Sequence, residues 1–216
     1  MKICAMFALI HSLLASTQVK TVMCRIVGPR YRYGLYRFLY IVLSGVHFAW
    51  AARCFMRLPD RDLYRVPVPW SWLMQAGQVA SLALVPATIR ALGVRRSSGL
   101  TQMYALLAGG DPLPEPEAQG PPLDALQHGR VAKIFRLSRH PSNAGPLGAA
   151  LLFPHMTANR ATLAGAVAIY VVLGSLHEEA RLHAAYGATY DRYRQQVPFL
   201  LPCCCSRTGG SASAAA

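Results

Sequence analysis

The sequence predicts an all-α integral membrane bundle of about five transmembrane helices, closed by a C-terminal helical hairpin and a cytosolic C-terminal helix. Three observations predict it. Only 14% of the 216 residues are charged, while 53% are hydrophobic; a soluble domain usually carries about 25% charged residues. Five uncharged stretches recur along the chain. The basic residues between them alternate unevenly from one side to the other.

The uncharged stretches are residues 3–19, 38–52, 66–89, 140–159 and 161–177. A spanning helix needs about 17–25 residues. Four stretches meet that length, and the second extends to about Met56 if Arg53 lays its stem along the apolar surface. Five such stretches leave little amphipathic surface for a soluble bundle. The first, with Lys2 before it and "LLAST" near its end, also has the outline of a signal peptide. However, His11 and Ser12 interrupt its middle, and no soluble domain follows.

With the N-terminus outside, five spans place 16 of the 22 basic residues in the cytosol and 6 outside. Positive residues favour the cytoplasmic side. The net charge of +13 is therefore read as topology and contact with anionic membrane lipids. Nucleic acid is not an expected partner, because no basic face or nucleic-acid motif is present. No obligate protein partner is legible.

Four regions follow. Residues 1–108 hold the N-terminal membrane helices, including "GLTQMYALLAGG", which is apolar but too short to span. Residues 109–129 form a Pro-rich connector with four of the nine acids; proline removes backbone donors and stops helices. Residues 130–202 carry the candidate chemistry. Residues 203–216 are a Cys/Ser/Ala tail expected to be disordered. The run Cys203, Cys204, Cys205 suits neither a tetrahedral zinc site nor a disulfide framework. It is a candidate for S-palmitoylation. No metal site is expected.

The candidate chemistry lies in "RLSRHPSNAG", entering the fourth stretch, and "HEEARL", leaving the fifth. The turn "MTANRA" between the stretches is short, so the two helices are antiparallel neighbours. Arg139, His140, Glu178 and Glu179 should then meet at one membrane surface. Ionisable groups at membrane depth are costly and are functional candidates by default. Alternatively, Glu178 and Glu179 are a solvated helix end, Glu178 pairing with Arg181.

These motifs resemble the isoprenylcysteine carboxyl methyltransferase family, which has an RHP near a membrane helix and a later EE-x-x-L…G-x-x-Y-x-x-Y…P pattern. The matching residues are Arg139-His140-Pro141, Glu178-Glu179, Leu182, Gly187, Tyr190, Tyr193, Pro198 and Pro202. The resemblance covers about residues 130–202, roughly a third of the chain. A looser resemblance runs through "ALIHSLLAS", "YRFLYIVLS", Asn143 and "PHMTANRA" to NnrU-like proteins and the bacterial methanethiol S-methyltransferases.

The resemblance implies a membrane methyltransferase that uses S-adenosylmethionine on a small thiol or a lipidated cysteine carboxylate. It implies cofactor binding by Arg139, His140, Pro141, Asn143, Glu179, Tyr190 and Tyr193, with Glu178 or Glu179 as the catalytic carboxylate. The NnrU-like group also contains haem-binding zeta-carotene isomerase. That resemblance implies an alternative: haem b held by His11 together with His155 or His140. A third reading is a membrane component that kept the fold without the reaction.

Overall fold

A computed structural model describes residues 2–114 and 120–201. Pro202, the three consecutive cysteines and the tail lie outside the described residues. The chain is mostly helical, with three helices long and apolar enough to cross a membrane: Thr17–Met56, Trp70–Leu92 and Ala158–Tyr186. It is a multi-pass membrane protein. The first and fourth uncharged stretches form helices of only 14 and 11 residues. Each ends early for a local reason.

The first stretch forms α1 (Lys2–Ala15). It stops because the Ser16 hydroxyl accepts from Val19 N–H and starts α2 (Thr17–Met56). Serine at that position satisfies one of the unpaired donors of a new helix. Inside α2, Gly28 has φ 81° and interrupts the helix, with Pro29 next. Glycine tolerates a positive φ, and the residue before a proline is pushed out of the helical region. The bend lets residues beyond it run back antiparallel to α1. Tyr36 Oη donates to Leu14 O (2.6 Å), Tyr40 Oη lies 2.8 Å from His11 Nε2, and Phe7 meets His47 and Phe48. No α1 residue is buried, so hydrogen bonds and ring contacts seat this helix.

Helix α3 (Trp70–Leu92) begins with Trp70 and Trp72 exposed; indoles of this kind favour the membrane–water interface. Two short helices, α4 (Val94–Ser98) and α5 (Leu100–Leu107), then fold back on α2. There Gly34 and Leu106 touch so closely that a Cβ on Gly34 would lie 2.7 Å from Leu106 Cδ2. Thus "GLTQMYALL" is a short packed helix. In the Pro-rich connector, α6 (Leu123–Gln127) follows Pro121, which is fully buried. After it comes α7 (Lys133–Leu137).

The fourth stretch gives α8 (Pro141–Leu151), with proline at its first position, where the missing N–H costs nothing. It packs on α3 through small residues. A Cβ on Gly145 would meet Ser81 O at 2.8 Å, and one on Gly148 would meet Ser81 Oγ at 2.5 Å. Close backbone approach of this kind is how membrane helices gain packing energy. After α8 the chain extends into β2 (His155–Thr157), which pairs antiparallel with β1 (Asp62–Arg65). The Thr157 hydroxyl then caps α9 (Ala158–Tyr186) by accepting from Arg160 N–H. Asp60 Oδ1 accepts from Asn159 N–H at the same end.

Gly187, at φ 53°, turns the chain from α9 into α10 (Ala188–Gln196). Tyr186, Tyr190 and Tyr193 therefore do not share one continuous helix, although their spacing suits one. Ala144, Leu147, Val171 and Leu200 form one buried apolar cluster, and Leu182, Tyr190 and Tyr193 another. Most other large apolar side chains on α2, α3 and α9 are exposed, as surfaces facing lipid should be.

Candidate functional site

The start of α8 and the C-terminal third of α9 are neighbours, as the short turn between them requires. Along α9, Val171, Ser175, Glu179 and Leu182 are buried. That one-sided stripe turns Glu179 inward. Thus Glu179 faces the residues leading into α8, while Glu178 stands at the edge of the interface. The side chain of Glu179 is 7% exposed and that of Glu178 is 22% exposed.

Glu179 is a charge hub. Its Oε1 lies 3.1 Å from Arg139 Nε, 3.1 Å from His140 Nε2 and 3.4 Å from the Tyr190 hydroxyl. Its Oε2 lies 3.4 Å from Arg194 Nε. A carboxylate offers about four lone-pair directions, and four donors surround this one. The Arg139 contact is an ion pair rather than a hydrogen bond, because the Nε–H is not aimed at the oxygen and has no hydrogen-bond partner. On the other side of the imidazole, His140 Nδ1 lies 3.2 Å from Glu178 Oε2. Two glutamates adjacent in sequence thus hold one histidine between them.

The surroundings fix this row. His140 is buried, its backbone N–H bonded to Ser138 Oγ and its ring edge against Phe199. Arg139 lies over the Phe199 ring, its backbone N–H donating to Pro198 O (3.0 Å) and its Nη1 reaching Arg194 O (3.5 Å). Residues 194–199 therefore wrap the Arg139-His140 pair. Among the described residues, Arg139 Nη2 has no hydrogen-bond partner, so the guanidinium keeps donors for an anion.

Pro141 is fully buried and acts through the backbone at the head of α8. Asn143 Nδ2 donates to Ser175 Oγ (2.9 Å), tying α8 to α9 below the charged row. Tyr190 and Tyr193 lie behind the carboxylates. Both are buried, with hydroxyls on Glu179 and on Phe135 O (2.7 Å). Burial, more than the nearby Glu179 charge, pushes the Tyr190 hydroxyl well above its usual range, and burial does the same for Tyr193. Both therefore remain protonated donors. In this arrangement they brace the site and cover no open face.

His11 and His155 are not brought together. His11 bonds Tyr40 and its ring meets Tyr170, whereas His155 pairs with Asp62 (2.7 Å) just before α9 begins. Tyr170 is about thirteen helical residues beyond that point, roughly 20 Å at 1.5 Å per residue. His140 is committed to the two glutamates. Each of the three histidines thus has partners of its own in this structure. Among the described residues, no group of three or more His, Cys, Asp or Glu is placed to hold a metal ion.

Arg194, Ser175 and Phe199 belong to the site and were not among the residues expected from sequence. Ser175 was within reach of pattern reading, since it stands four residues before Glu179 on the same face. Arg194 likewise stands four residues after Tyr190. Nothing local marks Phe199, whose place depends on the chain turning back after α10.

The chain is similar over 73 residues to three curated proteins. It is 38% identical to methanethiol S-methyltransferase 2 of Bradyrhizobium diazoefficiens, over 34% of this chain and 28% of that protein. It is 32% identical to methanethiol S-methyltransferase of Crocosphaera subtropica, over 34% of this chain and 29% of that protein. It is 33% identical to methanethiol S-methyltransferase of Pseudomonas deceptionensis, over 34% and 28%. The matches thus span less than a third of each relative's length. No protein-family model matches the chain, and no solved structure does.

Proposed function

We propose that this chain is an S-adenosylmethionine-dependent membrane methyltransferase acting on a small thiol, methanethiol-like, or on a lipidated cysteine carboxylate. One observation carries the proposal. Arg139, His140, Glu178 and Glu179 come from two segments some forty residues apart and close into one charged row at the end of the α8–α9 pair. The partial similarity to three methanethiol S-methyltransferases supports the same chemistry.

The residues suit the amino-acid end of that cofactor. Its carboxylate needs a guanidinium, and Arg139 has unused donors. Its ammonium needs a carboxylate with an open face, and Glu178 is the more exposed of the pair. When bound, the cofactor supplies an electrophilic methyl group on a sulfonium. Glu179 holds Arg139, His140 and Arg194 in position, and Tyr190 and Tyr193 support it from behind. Orientation and exclusion of water then lower the barrier. The acceptor enters from the membrane, with lipid as the surrounding partner. In this reading the N-terminus is outside and the site faces the cytosol.

The test uses the full chain in detergent with labelled S-adenosylmethionine, small thiols and prenylated cysteine analogues. Label should move to one acceptor class. Arg139→Lys should lose at least about tenfold in cofactor affinity, since lysine lacks the bidentate fork. No binding of S-adenosylmethionine by the folded wild type would sink the proposal.

A further inference from the structure

The Phe199 ring touches both residues that lead into α8. The guanidinium carbon of Arg139 lies over the ring, 5.4 Å from its centroid, and the His140 ring meets it at 5.3 Å in a T-shaped contact. An aromatic face is electron-rich and attracts a cation placed over it. The ring is anchored independently of Arg139. Ser138 Oγ donates to Phe199 O (3.3 Å) and Arg139 N–H donates to Pro198 O (3.0 Å), so the backbone there is stitched to the segment before α8. Phe199 also packs against the buried cluster of Ala144, Leu147, Val171 and Leu200.

The other contacts of the guanidinium orient it weakly. Nε lies 3.1 Å from Glu179 Oε1 without a hydrogen bond, and Nη1 reaches Arg194 O only at 3.5 Å. Charge attraction alone holds a guanidinium near a carboxylate without setting its plane, and a bond that long sets it poorly. An aromatic face under a planar cation does restrict its tilt. We infer that Phe199 is a positioning residue, which fixes the Arg139 guanidinium so that its unused donors meet the carboxylate of the methyl donor. This role rests on the S-adenosylmethionine reading above and deepens it.

Orientation matters because a guanidinium–carboxylate fork is directional, and a tilted guanidinium makes one of its two bonds badly. Leucine at position 199 would keep an apolar side chain against the Ala144 cluster, and the backbone stitches do not involve the ring. It would remove only the face under Arg139. The loss should therefore fall on ligands that carry a carboxylate and spare those that do not. Loss of packing alone would weaken both alike.

The experiment is equilibrium binding to the full chain in detergent, with S-adenosylmethionine and with its decarboxylated form, which keeps the sulfonium and the ammonium. Wild type should prefer the carboxylate-bearing ligand. Phe199→Leu should lose about tenfold in affinity for S-adenosylmethionine, as expected for a partly shielded cation–π contact, and less than about twofold for the decarboxylated form. Phe199→Tyr keeps the ring face and should restore the affinity of wild type. Phe199→Met removes the ring in a second way and gives the same comparison should Phe199→Leu fail to fold. Equal losses for the two ligands, no loss for S-adenosylmethionine, or a Phe199→Tyr protein as weak as Phe199→Leu would each overturn the positioning role and leave the methyl-donor reading intact. Absence of S-adenosylmethionine binding by the folded wild type would overturn both together.

Discussion

Replacing Glu179 by glutamine should separate the two glutamates by what each does for the fold. The substitution keeps the volume and removes the charge shared by Arg139, His140, Tyr190 and Arg194. The Arg139 arm is buried, with side chains 11% and 7% exposed. Breaking a buried pair by removing one partner costs about 3–5 kcal/mol. The Arg194 arm is 45% exposed and so adds less than about 1 kcal/mol. Because the Arg139 side chain keeps 11% of its surface exposed, the lower end applies, about 3 kcal/mol. For a chain of this size that lowers the melting temperature by roughly 6–12 °C. Glu178 is the more exposed of the two, at 22%, and Glu178→Gln should melt within about 2–4 °C of wild type, a change of about 1 kcal/mol. Thermal melts of both variants in one detergent, with and without S-adenosylmethionine, provide the assay. Glu179→Gln should melt early. Glu178→Gln should melt like wild type but gain less from the ligand. A Glu179→Gln protein as stable as wild type, beside an unstable Glu178→Gln protein, would refute the assignment of Glu179 as the hub.

Other expectations concern the rest of the fold. Gly145→Ala should destabilise the α3–α8 contact by about 1–3 kcal/mol, because the added Cβ would lie 2.8 Å from a backbone oxygen, Ser81 O; an unchanged melting temperature would contradict the packing. Asn143→Ala removes the bond to Ser175 and should cost about 0.6 kcal/mol, the average for interhelical bonds in membranes, measured by the same melts. Hydrogen bonds from His155, then Arg65, hold the Asp62 carboxyl below its usual range. A lowered carboxyl stabilises the fold above its unfolded value, about pH 4, and that stabilisation is lost as pH falls through the folded value. The β1–β2 pair should therefore become protease-sensitive below about pH 4, and Asp62→Asn should be equally sensitive at neutral pH. For the proposed orientation, a tag at residue 216 should be shielded from external protease in intact cells, and cleavage there would reverse the topology.

The membrane class was legible because lipid imposes a simple rule on composition, namely long stretches without charge. The antiparallel placement of α8 and α9 was legible for a similar reason, since six residues cannot carry the chain anywhere but back. That was enough to bring Arg139, His140, Glu178 and Glu179 to one end. Helix lengths were not legible. An uncharged run does not say where Ser16 will cap a new helix, where Gly28 will bend one, or that residues 155–157 will pair with 62–65. Hydropathy counts residues and is blind to their backbone angles.

By itself, the sequence determined which chemical groups were present and which end of the bundle would hold them. Only the tertiary structure distinguished Glu178 from Glu179, because neighbouring positions on a helix point about 100° apart and the packed face decides which one is buried. The tertiary structure also set Tyr190 and Tyr193 behind the carboxylates, since Gly187 turns α10 against α7 and α9. It added Phe199 through a return of the chain that no local pattern encodes. Finally, it separated His11 from His155 by the part of α9 that leads to Tyr170, a distance that exists only once a helix fixes 1.5 Å for each residue between them.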